Sequence, residues 1–237
     1  MIPLKDNIRA RRLPLVTYCI IAANVVVYFY EVSLGAHLEQ FVREVAVVPS
    51  EYMAFVSGYR VAVQKLLIAP FASMFLHAGF PHLLGNMWFL YIFGDNVEDR
   101  MGHIRYLLFY LLCGLVATFT HILVSPTSSI PIIGASGAIS GVLGAYFVLF
   151  PRASVLTLIP LFYFLQLIEI PAVVFLGIWF IMQLNSGILQ TLLAPSEAGG
   201  VAWWAHIGGF VAGLVLQRFF REEPRAPFYK ELFYPFW

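Results

Sequence analysis

Gly134-Ala135-Ser136-Gly137-Ala138-Ile139-Ser140-Gly141 opens an apolar segment that runs to Phe150. Its glycines, at 134, 137, 141 and 144, follow a three-four-three spacing that puts them on one stripe of a helix. In water such a stripe weakens a helix by up to about 1 kcal/mol per Gly relative to Ala. In a bilayer it lets a second helix approach backbone to backbone. Ser136 lies near the start of this helix, inside the close contact. The ordinary reading of such a serine is packing, with its hydroxyl bonded across helices or to its own backbone. Anything more has to come from elsewhere in the chain.

Of the 237 residues, 60% are hydrophobic and 11% charged, and the mean hydropathy is +0.82. That balance excludes an ordinary soluble domain and points to a polytopic membrane protein. A net charge of +1 gives no reason to expect a nucleic-acid partner. Cys19 and Cys113 lie inside apolar runs, where they read as small buried hydrophobes. His77 and His82 are five residues apart, unlike the HExxH zinc pattern. No metal and no cofactor is expected.

Six stretches come near the roughly 20 residues needed to cross a bilayer: 14–32, 81–98, 104–124, 133–150, 171–190 and 201–220. The expected fold class is an all-α polytopic bundle of six spans with a long interfacial first loop. Residues 1–13 form a cytoplasmic N-terminal segment, 14–220 the membrane domain, and 221–237 an aromatic and Pro-rich cytoplasmic tail. The first apolar run, longer than a signal core and without a convincing cleavage site, reads as a retained helix. In the first loop Leu38, Phe41, Val42 and Val45 recur at helical spacing, the mark of a short amphipathic helix in the interface. The segment 152–170 is apolar but interrupted by Pro160 and Pro171. It reads as an interfacial or partly extended connector rather than a seventh span.

With the N-terminus inside, eleven of the fourteen Lys and Arg residues face the cytoplasm, and only Arg43, Arg60 and Lys65 remain outside. That is the positive-inside distribution. Both termini are then cytoplasmic. Spans two, four and six all start on the outer side, and each carries polar residues in its first two turns: His82 and Asn86, Ser136, and His206. At about 1.5 Å of rise per residue they share one depth, ~5–10 Å below the outer boundary. Strongly polar residues at such a depth are costly, so each is by default a functional-site hypothesis.

The sixth span has its own small-residue stripe, Ala205, Gly209, Ala212 and Gly213. Docking it on the stripe of Gly137 and Gly141 brings His206 beside Ser136. A serine hydroxyl and an imidazole within hydrogen-bond reach make a nucleophile and its general base. No credible carboxylate stands at this level as a third member, with Asp95, Glu98 and Asp99 at the opposite end of span two and Glu169 on the inner side, and a Ser–His dyad is the natural reading.

Three blocks carry a family resemblance: His77-Ala78-Gly79-Phe80-Pro81-His82-Leu83-Leu84-Gly85-Asn86, Gly134-Ala135-Ser136-Gly137, and Ala205-His206-Ile207-Gly208-Gly209. In this order, on alternate spans, they resemble the rhomboid family of intramembrane serine proteases over essentially the whole membrane region. The resemblance implies that Ser136 is the nucleophile, His206 the general base, and His82 and Asn86 the oxyanion-stabilising pair, aided by the Ser136 N–H. It implies that Gly134, Gly137, Gly141, Gly209 and Gly213 belong to close packing near the site, and that His77 lines the loop near the water-accessible entrance. Some members have an aromatic four residues after the nucleophile, against the imidazole. Here that position is Ser140, so the ring must be held by Ser140 itself or by apolar neighbours.

The function so implied is an endopeptidase acting on transmembrane substrates, from a site opening to the outer side of a prokaryotic cytoplasmic membrane. A substrate helix has its amides bonded internally and must unwind before cleavage, so helices with breakers or small residues near their outer end are the expected substrates. An inactive rhomboid-like protein that binds membrane clients is the alternative; that class typically lacks the serine or the histidine. A transporter would place its site near the midplane between repeated halves, and no internal repeat is visible.

Overall fold

The computed structural model describes residues 1–161, 164–193 and 201–222; the Pro-rich tail beyond residue 222 lies outside the described residues. Helices stand at each of the six apolar stretches: α1 (Leu15–Ser33), α5 (Phe80–Met101), α6 (His103–Val124), α7 (Ser136–Leu149), α8 (Ala172–Leu193) and α9 (Trp203–Phe220). Between α1 and α5 come α2 (Leu38–Val45), α3 (Pro49–Val56) and α4 (Val63–Ala72). The expected amphipathic helix is α2. This segment is tied down by specific bonds. Lys65 pairs with Glu51 at 2.5 Å, Tyr52 Oη donates to the Leu66 carbonyl at 2.8 Å, and the Val47 N–H donates to Ser73 Oγ at 2.9 Å.

The glycine-rich α7 is the central helix. Every residue from Gly137 to Tyr146 is buried, enclosed by α5, α6 and α9. Its small residues explain how. A Cβ on Gly209 would strike the carbonyl oxygen of Gly137, one on Gly213 that of Gly141, and one on Gly144 that of Phe210. The backbones of α7 and α9 therefore touch directly, and the two stripes read from the sequence face each other. Around this seam sit large, fully buried aromatics, including Phe93, Tyr106, Tyr110 and Tyr146.

Among the described residues three helices, α1, α6 and α8, are long and apolar enough to cross a membrane, and the pair α4–α5, bent by 82°, makes up to four. Their outer faces carry exposed apolar side chains such as Val26 (68% exposed), Leu123 (80%) and Leu192 (75%). Apolar area this extensive belongs in hydrocarbon. The chain is an integral membrane protein.

The expectation of an all-α chain needs correction. A three-stranded antiparallel sheet, in order β1-β2-β3, joins β1 (Ile2–Asp6), β2 (Ser154–Leu161) and β3 (Phe164–Pro171). The connector 152–170 is thus a β-hairpin, and the N-terminal segment is its third strand. Ile2 pairs with Leu158 and Asp6 with Val155, while Ser154 pairs with Pro171. β1 covers β2 only as far as Leu158, so Pro160, which has no N–H to give, falls where β2 has a free edge. The strand partner of β2 lies some 150 residues upstream, and no local pattern announces it.

The sheet sits at the end of the bundle where α5 stops and α1 starts. Gly102, at φ +75°, adopts a left-handed turn that ends α5 and lets α6 begin at the next residue. Here Glu98 accepts from the N–H groups of Val16 (2.9 Å) and Thr17 (2.8 Å) and from Thr17 Oγ1 (2.7 Å). Arg12 pairs with Glu222 at 3.0 Å, an arrangement that raises the guanidinium's already high pKa. The acids Glu98 and Asp99 are structural partners at this end.

Candidate functional site

Ser136 is the first residue of α7, so its N–H is one of the four that a helix leaves without an intrahelical acceptor. The turn that delivers it contains Gly134 at φ +120°, a conformation closed to L side chains. An added Cβ there would also come within 2.8 Å of His82 Cε1 and 3.7 Å of Asn86 Nδ2. His82 and Asn86, four residues apart on α5, therefore lie over the backbone just ahead of Ser136.

Across the seam, His206 on α9 places Nε2 2.7 Å from Ser136 Oγ. The ring is buried, while Ser136 is half-buried and faces a cavity of about 950 Å³. Ser136, His206, His82, Asn86, His121 and Trp179 all line it. That volume is in the upper range for small-ligand sites and is large enough for a short unwound stretch of peptide.

Hydrogen-bond donors converge on the same space. The Ala78 N–H donates to His82 Nδ1 at 3.3 Å. That nitrogen is thus the acceptor, and the ring hydrogen stands on Nε2, the atom turned toward Gly134. Asn86 Nδ2 is buried and has no hydrogen-bond partner. A buried amide donor without an acceptor is rare, and this one borders the cavity.

Of the two supports expected for the His206 imidazole, Ser140 and apolar neighbours, only the second is found, and it is joined by a glutamine. Ser140 donates its hydroxyl to the Ser136 carbonyl at 2.6 Å, the i−4 back-bond of a helical serine, and does not reach the ring. The ring is held by α8. Gln183 Oε1 lies 2.8 Å from Nδ1, and the Trp179 indole stacks on the ring at a centroid distance of 6.1 Å. Trp203 adds an edge contact at 6.0 Å. Sequence reasoning missed Gln183 and Trp179. Their available signal was a glutamine inside an apolar span, one turn from a tryptophan.

His77 also departs from expectation. It is 3% exposed and stands behind His82, the rings 5.1 Å apart, with its backbone N–H donating to the Glu31 carboxylate at 3.1 Å. It packs against His82 and is not among the residues lining the cavity. His121 is in the cavity wall, its Nδ1 buried without a partner. His37 is exposed, and His103 bonds Glu98 at 2.5 Å. Among the described residues no cluster of three His, Cys, Asp or Glu could hold a metal ion.

The arrangement can take a proton from Ser136 Oγ at Nε2 and offer donors to a negative oxygen beside it. Residues 65–223, more than half of the chain, match the family model described as the Rhomboid domain. The Bacillus subtilis (strain 168) protein named "Putative rhomboid protease YdcA" is 32% identical over 140 residues, covering 57% of this chain and 62% of that protein's length. "Rhomboid-like protein 11, chloroplastic" of Arabidopsis thaliana is 28% identical over 206 residues, 86% of this chain and 68% of its own. "Presenilin-associated rhomboid-like protein, mitochondrial" of Bos taurus is 26% identical over 159 residues, 63% of this chain and 37% of its own.

Proposed function

This chain belongs to the rhomboid family, and from that premise we propose that it is a serine endopeptidase that hydrolyses peptide bonds in or beside the transmembrane helices of membrane-protein substrates. One observation carries the reading: the Ser136 hydroxyl stands 2.7 Å from His206 Nε2 at the wall of a cavity large enough for an unwound peptide.

In the acylation step the Ser136 oxygen attacks the scissile carbonyl carbon as its proton passes to His206 Nε2. The carbonyl oxygen becomes an oxyanion, which the His82 Nε2–H, the Asn86 amide and the Ser136 N–H stabilise. These donors are fixed before reaction, in a place where water is reduced, and this is where electrostatic stabilisation is greatest. The positive end of α7 adds to it. His206 then gives the proton to the departing amine, and water repeats the sequence on the acyl-enzyme with His206 as base. The nucleophile and base act as a pair, and among the described residues no carboxylate bonds to His206.

The six helices α1, α5, α6, α7, α8 and α9 are proposed as six spans, with both termini in the cytoplasm and the cavity open to the outer side. The 14-residue α7 is too short to cross a bilayer of ordinary thickness at about 1.5 Å per residue. Its Ser136 end is proposed to lie below the outer surface, with water entering from that side. The setting proposed is a prokaryotic cytoplasmic membrane.

The test is fluorophosphonate labelling of detergent-purified protein, with cleavage of a model single-span substrate in lipid. Wild type labels and cuts, and Ser136→Ala and His206→Ala do neither while keeping their helical circular dichroism. A folded wild type that does neither would move the assignment to a client-binding protein.

A further inference from the structure

His206 is an effective base only if its Nε2 carries a lone pair, and one of the two neutral tautomers puts the hydrogen on that nitrogen instead. The surroundings of the other ring nitrogen decide which form is present. Nδ1 faces the side-chain amide of Gln183 at 2.8 Å, and Gln183 is 7% exposed. The other end of that amide, Nε2, lies 3.4 Å from the Trp179 carbonyl of its own helix. A carbonyl only accepts, so the nitrogen end of the amide belongs there and the oxygen end is turned to His206. An amide oxygen in turn only accepts. Nδ1 must therefore hold the hydrogen, which leaves the Nε2 lone pair on the Ser136 hydroxyl 2.7 Å away.

We propose that Gln183 is a positioning residue that fixes the tautomer and the rotation of the His206 ring, with Trp179 setting the ring plane from one turn away. It does from helix α8 what the buried aspartate does in a three-membered serine-hydrolase site. The inference rests on the Ser136–His206 reading above.

Two substitutions in the full chain separate positioning from packing. Gln183→Met keeps the length and volume of the side chain and removes the acceptor. Gln183→Glu keeps an acceptor oxygen at the same reach. For Gln183→Met, kcat on the model substrate falls about 10- to 100-fold with KM within about two-fold, below the ~10⁴-fold loss that follows a wrong tautomer in a full triad. Gln183→Glu recovers most of the rate. Nitrogen-15 NMR of histidine-labelled protein shows His206 protonated at Nδ1 in wild type and as a tautomer mixture in Gln183→Met.

A wild-type His206 protonated at Nε2 overturns the inference whatever the variants do. So does an active wild type that Gln183→Met matches in kcat, or a Gln183→Glu as impaired as Gln183→Met. If Gln183→Met does not fold, the wild-type spectrum and Gln183→Glu still decide. A folded wild type that neither labels nor cuts overturns the peptidase reading instead, a result distinct from all of these.

Discussion

The carboxylate of Glu98, on the last turn of α5, caps helix α1 through Thr17: it accepts from the Thr17 N–H at 2.8 Å and from its hydroxyl at 2.7 Å. The residue before α1 is Pro14, which gives no side-chain cap. The helix thus borrows its cap from a neighbour 81 residues away, and Glu98 is 1% exposed. Its charge also lies at the positive end of the α1 dipole. Glu98→Ala leaves the buried N–H of Thr17 and the half-buried N–H of Val16 without this acceptor and costs about 3–5 kcal/mol, the range for removing one partner of a buried charged network. Thr17→Val removes only the hydroxyl bond and costs about 1 kcal/mol. Thermal denaturation in detergent, followed by circular dichroism, checks both. Equal melting of Glu98→Ala and wild type would remove the cap from the account.

Glycines that look alike in sequence differ sharply in what surrounds them. A Cβ on Gly209 would collide with the Gly137 carbonyl, whereas one on Gly177 meets nothing within 4 Å. Gly209→Ala must push α9 off α7, at about 1–3 kcal/mol or more of overpacking strain, and His206 rides on α9 three residues earlier. Fluorophosphonate labelling should therefore fail at temperatures where the helices are still folded. Gly177→Ala should label and melt like wild type. A Gly209→Ala protein that labels at the wild-type rate would show that the seam can relax without moving the imidazole.

The α7–α9 seam was legible in sequence because close backbone approach needs small residues at every contact, which writes a periodic signal along each helix. Ser136, His82, Asn86 and His206 were legible because polar groups are rare in apolar spans and theirs coincide in depth. The sheet was not. Residues 154–171 are apolar almost throughout, without the alternation of a one-sided strand, and β1 is a five-residue strand paired across most of the chain. Gln183 was hidden for another reason. A single glutamine in α8 has no sequence neighbour that reveals a histidine on α9, and only the packing of the two helices brings Oε1 to Nδ1.

Asn86 offers a separable test of the oxyanion site. Its Nδ2 has no partner in the resting structure, so deleting it breaks no hydrogen bond of that group. Asn86→Ala should leave the melting temperature close to wild type. If the amide meets the oxyanion, kcat drops about 10²–10³-fold, equivalent to about 2.7–4 kcal/mol. Loss of stability together with activity would indicate a structural role, and unchanged kcat would remove Asn86 from the site.

The far end of α7 is anchored as firmly as the end that bears Ser136. Asp6 of β1, 4% exposed, accepts from Tyr146 Oη at 2.5 Å and from Asn96 Nδ2 at 2.8 Å. The N-terminal strand is thereby fastened to α7 and α5 together. Hydrogen bonds to a buried charge contribute about 1.5–3 kcal/mol, so Tyr146→Phe should cost about that much in the wild-type background. With Asp6→Ala already present, the hydroxyl has lost its acceptor and the same substitution should cost far less. A double-mutant cycle on the melting of Asp6→Ala, Tyr146→Phe and the pair measures the difference. Strict additivity would mean that the strand and the helix are held independently, and that the sheet contributes to the position of α7 only through its β2–β3 hairpin.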